Sequence, residues 1–335
     1  MPSAPAIPMT LPSIHFAAGD RVLVAAPHPD DETLACGELI QFALDCGARV
    51  RVLLASDGDN NPWPQRWLER RVWIGAAARA RWGARRRGEA LAAAAVLGLE
   101  AAQVRCLGWP DQGLTASLMA GDEGVAVLAD ELDGFAPSHL VMPALDDRHP
   151  DHGALHVALE LALLRSGLAC RRICYRVHGG AVAGELAVPP AAARQQRKRA
   201  ALACHRSQLA LSRGRLLALA QRPEWFTQGD EPGAGRGPAL PLVFRIGALP
   251  ALHARHELLV VLATAEGTVR ARLPLAWFGQ RVAGTAQLDL QCDGDTLRLT
   301  PAATLPAIRA GWAKLHRREP RWVVFDRHCW QRARS

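Results

Sequence analysis

Val22-Leu23-Val24-Ala25-Ala26 runs without a break into Pro27-His28-Pro29-Asp30-Asp31-Glu32. Five small or branched apolar residues in a row make a strand buried on both faces, the kind that fills a parallel sheet. The segment Glu32 to Asp45 that follows is amphipathic and stops at Gly47, which reads as a helix. A strand, a chemically loaded turn and a helix thus open the chain, and the rhythm continues. Arg49–Ala55, Val104–Leu107, His139–Met142 and Arg172–Val177 read as strands, and Arg85–Leu97, Val125–Phe135 and Asp151–Arg165 as helices, with a polar loop over Ser56–Pro64. Parallel strands need crossover connections. The expected fold is therefore α/β, a mostly parallel sheet with helices on both faces.

The pattern changes after a basic helix read over Ala191–Leu211. Thr227–Gly237 is rich in glycine and charge and reads as a linker. Beyond it the period is two: Val269, Ala271 and Leu273 alternate with Arg270 and Arg272. Leu288, Leu290 and Cys292 lead through Asp293-Gly294-Asp295, a hairpin turn, into Leu297-Arg298-Leu299. A smaller β-rich C-terminal appendage is expected, with a helix near Ala307–Leu315 and a last strand at Trp322–Phe325. The expected division is a domain over residues 1–230 that carries the chemistry and a β-rich region over 238–335 without a chemical motif.

A chain of 335 residues accommodates one large or two modest domains, and 49% hydrophobic with 21% charged residues excludes global disorder. All but Lys198 and Lys314 of the 40 basic residues are arginine, and the net charge is +8. That balance suits an anionic surface, nucleic acid or an acidic substrate. The basic residues lack the interleaved aromatics of a nucleic-acid reader, so no nucleic-acid partner is expected. No stretch reaches the ~20 apolar residues of a membrane span. Met1 to Phe16 has four prolines and no cationic start, unlike a secretory signal. A soluble, cytoplasmic chain is expected, with its eight cysteines as reduced thiols.

A second loaded segment, Asp147-Arg148-His149-Pro150-Asp151-His152, follows the fourth strand and opens another helix. Both segments lie at carboxyl ends of parallel strands, where open α/β sheets hold ligands. His28, Asp31 and His152 can meet one metal ion and leave positions open, and two nitrogens with one carboxylate suit catalytic zinc. Asp30 is then free to take a proton from a water, and His149 to stabilise an oxyanion or protonate a departing amine. Asp147 or Asp151 can hold the imidazole in its working tautomer. A lone histidine after a strand is ordinarily a loop residue, and an aspartate at a helix start is ordinarily an N-cap. Two such clusters at equivalent strand ends are harder to explain that way.

His28-Pro29-Asp30-Asp31-Glu32 with His149-Pro150-Asp151-His152 closely resembles the LmbE/PIG-L family of zinc-dependent de-N-acetylases. Arg86-Arg87-Gly88-Glu89, Leu107-Gly108-Trp109-Pro110-Asp111 and His205-Arg206-Ser207-Gln208 resemble further family segments, so the likeness covers roughly Arg21 to Phe226. It implies a Rossmann-like fold and one zinc ion per chain, or another divalent metal, on His28, Asp31 and His152. It implies Asp30 as general base, His149 as electrostatic or acid partner, and Arg86 and Asp111 facing the substrate. The implied partner is an N-acetylglucosaminyl conjugate: a nucleotide sugar, a lipid-linked glycan, an antibiotic or a thiol precursor. Some members carry tyrosine two residues before the second motif, where this chain has Asp147. An amidase acting on another N-acyl or S-conjugate substrate, and a glycan-binding protein with a vestigial site, are the competing readings. The sequence is compatible with a monomer or an oligomer.

Overall fold

The computed structural model describes residues 12–179, 185–229, 238–245, 256–274, 288–293, 296–318 and 325–333. The chain opens with β1 (Arg21–Ala26), α1 (Asp31–Asp45), β2 (Arg49–Ser56), α2 (Pro62–Glu69) and α3 (Ala76–Leu97). It continues through β3 (Val104–Trp109), α4 (Leu114–Ala120), α5 (Glu123–Phe135), β4 (His139–Pro143) and α6 (Pro150–Ser166). Then come β5 (Arg171–Tyr175), β6 (Leu186–Ala187), α7 (Ala192–Leu202), α8 (Arg206–Ala220) and β7 (Trp225–Gln228). The remaining strands are β8 (Leu242–Arg245), β9 (His256–Thr264), β10 (Thr268–Pro274), β11 (Leu288–Asp293), β12 (Thr296–Pro301), β13 (Ile308–Arg317) and β14 (Gln331–Arg332). No described helix is long and apolar enough to cross a membrane.

Two compact units divide the chain. The first joins Met1–Asp111, Phe135–Pro143 and Cys170–Gly229. Its sheet runs β3-β2-β1-β4-β5-β7-β6, with β1 to β5 parallel, β7 antiparallel to β5 and β6 antiparallel to β7 at the edge. The central strand β1 pairs with β2 from Arg21↔Arg49 to Ala26↔Leu54 and with β4 from Val22↔His139 to Val24↔Val141. Its uninterrupted apolar sequence is buried along both faces, as a strand flanked by helices requires. Strand order reverses between β1 and β4, because the chain first winds outward to β3 and then resumes on the other side of β1. The second unit joins Gln112–Gly134, Ala144–Ala169 and Asp230–Ser335. It holds α4, α6, most of α5 and two antiparallel sheets, β10-β9-β13-β14 and β11-β12-β8. Leu242, Phe244, Leu258, Val260, Leu262, Leu297 and Leu299 form the core of those sheets.

Three readings change. Residues 307–315, read as a helix, fall from Ile308 onward in β13, which pairs antiparallel with β9 from Ile308↔Thr264 to Arg317↔His256. Weak local propensity yields to a full ladder of inter-strand hydrogen bonds. The single basic helix is two, α7 and α8, broken at His205, whose non-helical backbone brings its ring to Thr33 at 3.2 Å. The linker begins later than read, because Trp225–Gln228 is β7 and Gly229 still donates to Arg172 O; residues 230–237 lie outside the described ones. The hairpin turn at 294–295 and most of the strand read at 322–325 are also outside them, and Phe325 itself is in no strand.

A buried ion pair ties the helices of the first unit together. Lys198 on α7 reaches Glu224 at 2.7 Å, and the Glu224 carboxylate also accepts the N–H groups of Glu38 and Leu39 in α1, each at 2.8 Å. Burial pushes the Glu224 carboxyl up, against the pull of Lys198 and both N–H groups. The lysine stem passes so close to Gly37 that a Cβ there would lie 2.9 Å from its Cγ. Removing one partner leaves an uncompensated buried charge. Lys198→Met is expected to cost about 3–5 kcal/mol in urea unfolding, and the double variant Lys198→Met/Glu224→Leu clearly less than the sum of the single ones.

Candidate active site

The first unit builds one cluster around the turn between β1 and α1. Asp30 sits at φ 128° and ψ −25°, a left-handed backbone that costs a non-glycine residue about 1–3 kcal/mol. The surroundings over-determine it. Its N–H donates to Glu32 Oε2 at 3.0 Å, its carbonyl accepts from Leu34, and its carboxylate lies 3.4 Å from Arg86 Nη2. Asp30 precedes α1 but makes no side-chain capping bond, so the ordinary N-cap explanation does not hold for it. Burial raises its carboxyl to about 6; the Arg86 charge opposes that shift, while Asp31 and Glu32 add to it.

Arg86, buried on α3, also donates to Pro29 O and, at 2.6 Å, to Gly58 O. One turn later Glu89 accepts from Ser207 N–H at 3.0 Å, fixing the start of α8. The Arg86-x-x-Glu89 pair thus divides its work between the turn and α8. Gly58 has φ +61°, and a Cβ there would lie 1.7 Å from Arg86 Nη1. Sequence reasoning passed over Asp57-Gly58-Asp59-Asn60 as a polar loop. The glycine between two aspartates at the carboxyl end of a strand was the available signal.

The His28 ring lies between two carboxylates. Its Nδ1 is 3.1 Å from Asp31 Oδ2 and its Nε2 is 3.2 Å from Asp111 Oδ1. Burial works to raise the Asp111 carboxyl, but the His28 hydrogen bond and charge, Arg86 and the Asn60 N–H outweigh it and hold the carboxyl low. Nearby, His205 stands 3.5 Å from Glu32. Burial would lower its pKa, and the bond to Glu32 with that residue's charge reverses the sign. Of the tryptophans near these loops, Trp82 is fully buried, whereas Trp63, Trp67 and Trp73 are exposed.

The second unit builds the other cluster. Asp147 is buried, accepts the His149 N–H at 2.9 Å on Oδ1 and lies 3.2 Å from His152 Nδ1 through Oδ2. His149 is the N-cap of α6, its Nδ1 accepting the Asp151 N–H at 3.3 Å. The Asp151 carboxylate accepts from Gln112 N–H at 2.7 Å and Leu114 N–H at 3.1 Å, anchoring the start of α4. His152 is fully buried, with its ring centroid 5.1 Å from that of His149.

The donors suit a divalent metal. Histidine ligands ordinarily give one ring nitrogen to a carboxylate, which fixes the tautomer and frees the other for the ion. Asp147 stands at His152 Nδ1 in that manner, and Asp111 at His28 Nε2. His28 Nδ1 and Asp31 Oδ2 are separated by 3.1 Å, close to the ~3.3 Å between two ligands at tetrahedral zinc distances.

Residues 23–163 match the family model described as PIG-L: GlcNAc-PI de-N-acetylase. Two curated relatives both bear the name 1D-myo-inositol 2-acetamido-2-deoxy-alpha-D-glucopyranoside deacetylase. The one from Gordonia bronchialis is 35% identical over 164 residues, 43% of this chain and 57% of the relative. The one from Mycolicibacterium vanbaalenii is 31% identical over 167 residues, 44% of this chain and 55% of the relative. The chain therefore spans little more than half the length of these relatives. A solved conserved protein from Thermus thermophilus is similar with a TM-score of 0.47 and 24% identity, covering 63% of this chain and 94% of that one. The resemblance to PIG-L and LmbE-like proteins read from the motifs holds over the matched segment.

Arg86 offers a direct test of how the first cluster is held. Arg86→Ala strips Asp30 of its cation and two carbonyls of their donor, a loss of about 3–5 kcal/mol. Gly58→Ala is expected to destabilise in the same direction by displacing the guanidinium. The double variant, compared with each single one by urea unfolding, should lose less than their sum, because both changes break one connection.

Proposed function

We propose that this chain is a metal-dependent hydrolase that removes the N-acetyl group from an N-acetylated amino-sugar conjugate. One topological observation carries the reading. The two His/Asp motifs follow the carboxyl ends of β1 and β4, the paired parallel strands between which strand order reverses. Open α/β sheets bind their ligands at such a switch point. The family match over residues 23–163 supports the same chemistry. Both curated relatives are named for an inositol-linked 2-acetamido sugar, which makes that conjugate the first candidate substrate here.

In this reading His28, Asp31 and His152 hold one zinc ion, with another divalent metal as the alternative. A bound ion of that kind lowers the pKa of a water from ~15.7 toward ~7 and polarises the carbonyl oxygen. Asp30 takes a proton from the attacking water, its carboxylate aimed by Arg86 and by its strained backbone. His149 accepts the Asp151 N–H on Nδ1, so its neutral ring carries the proton on Nε2. That N–H can donate to the developing oxyanion, while the proton that Asp30 has taken from the water passes to the leaving nitrogen. The water oxygen bonds to the acetyl carbon, the C–N bond breaks, the amine gains a proton and acetate departs. Arg86 and Asp111, expected from sequence to face substrate, are engaged with Asp30 and His28. Their work in this reading is to orient those two residues.

Acetate release from the inositol-linked conjugate, measured beside metal content by mass spectrometry, tests this assignment. Asp30→Asn is expected to keep its zinc and lose turnover ~10²–10⁴-fold, as a missing general base requires. His152→Ala is expected to lose stoichiometric zinc. Near-wild-type turnover in Asp30→Asn, or full zinc in His152→Ala, would contradict it.

A further inference from the structure

The turn that carries His149 and His152 is gripped, within the second unit, by a segment far along the chain. Asp326 N–H donates to Arg148 O at 2.8 Å, and Arg148 Nε donates back to Asp326 O at 3.3 Å. Cys329 Sγ reaches Asp146 O at 3.3 Å. Buried Trp330 packs on Gly153, where a Cβ would lie 2.8 Å from its Cδ1. Phe325 presents its ring edge-on to His149, with centroids 6.3 Å apart and planes at 80°. The segment is itself pinned from behind. Lys314, fully buried on β13, pairs with the Asp326 carboxylate at 2.5 Å and lies 6.0 Å from the Trp330 ring centre.

We propose that Phe325–Trp330 is a clamp that fixes the turn 146–153, and that Phe325 is a positioning residue for the His149 ring. A loop between a strand and a helix has few bonds of its own to hold a side chain. Here the Arg148 carbonyl accepts from Asp326 and the Arg148 side chain donates back to it, while Asp151 holds one edge of the imidazole and Phe325 packs against the ring. The grip acts at both ends of the motif, at Arg148 before His149 and at Gly153 after His152. A cation as buried as Lys314 is retained where it is paired, and its partner is the residue whose backbone holds Arg148. The segment before β14 therefore supports the chemistry by holding one of its groups still. The role given to His149 rests on the deacetylase reading; the clamp does not.

Phe325→Ala tests the clamp by amide hydrogen exchange and by turnover. Exchange over residues 146–153 is expected to quicken about tenfold while β1 to β5 keep their protection, since local opening is independent of global unfolding. The kcat for acetate release should fall about tenfold with KM nearly unchanged, the result of a catalytic group that wanders. Phe325→Tyr should restore both values. In a His149→Ala background, Phe325→Ala should cost nothing further. Arg148→Ala, at an exposed side chain, should shift exchange the same way and covers the case in which Phe325→Ala unfolds. Unchanged exchange over 146–153 in Arg148→Ala and in any folded Phe325→Ala, or equal kcat losses with and without His149, would overturn the proposal. Absence of acetate release by the wild-type protein would sink the deacetylase reading alone, and the exchange measurement would still decide the clamp.

Discussion

Three acidic residues in succession, Asp30, Asp31 and Glu32, lie buried at the start of α1, and the first unit is arranged to make that tolerable. Carboxylates crowded out of water repel one another and resist ionisation. The helix N-terminus favours their charge, and each has a basic neighbour: Arg86 at Asp30, His28 at Asp31 and His205 at Glu32. These contacts explain why α3 brings an arginine inward, why Gly58 has no side chain and why the basic helix breaks at His205. The left-handed backbone of Asp30 is a strain that this network sustains. Its consequence is a carboxylate directed at a cation instead of at the helix end it precedes.

The second unit solves the same problem with backbone groups. Asp147 and Asp151 are buried carboxylates that accept main-chain N–H groups of His149, Gln112 and Leu114. Charge-assisted bonds of that kind are stronger than neutral ones and more directional than an ion pair in water. They leave the imidazoles of His149 and His152 in defined orientations. The clamp formed by Phe325–Trp330 adds a grip on either side of them.

The sequence exposed the sheet because strands buried on both faces read as continuous apolar runs, as in Val22–Ala26 of β1, Val52–Ala55 of β2 and Leu140–Met142 of β4. It exposed the two motifs because histidine and aspartate concentrate where strands end. The partners of these residues were harder to see. Asn60 acts through a backbone N–H, which any residue possesses, so its type carried little signal, and the glycine at 58 marks a close approach without telling which side chain makes it. Asp111 and Arg86 were legible as polar residues in the right segments, but the groups they face depend on packing. The contacts of Phe325–Trp330 with the turn at 146–153 span about half the chain, beyond the reach of any local pattern. β13 was misread for a related reason: its partner β9 is some fifty residues away.

Anomalous diffraction at the zinc edge, from crystals of zinc-loaded protein, tests the central claim most directly. The account predicts one peak, with nitrogens of His28 and His152 and an oxygen of Asp31 at ~2.0–2.2 Å, and with Asp111 and Asp147 bonded to the histidines instead of to the ion. A peak that lacks either histidine, or one coordinated by Asp111 in place of Asp31, would contradict it.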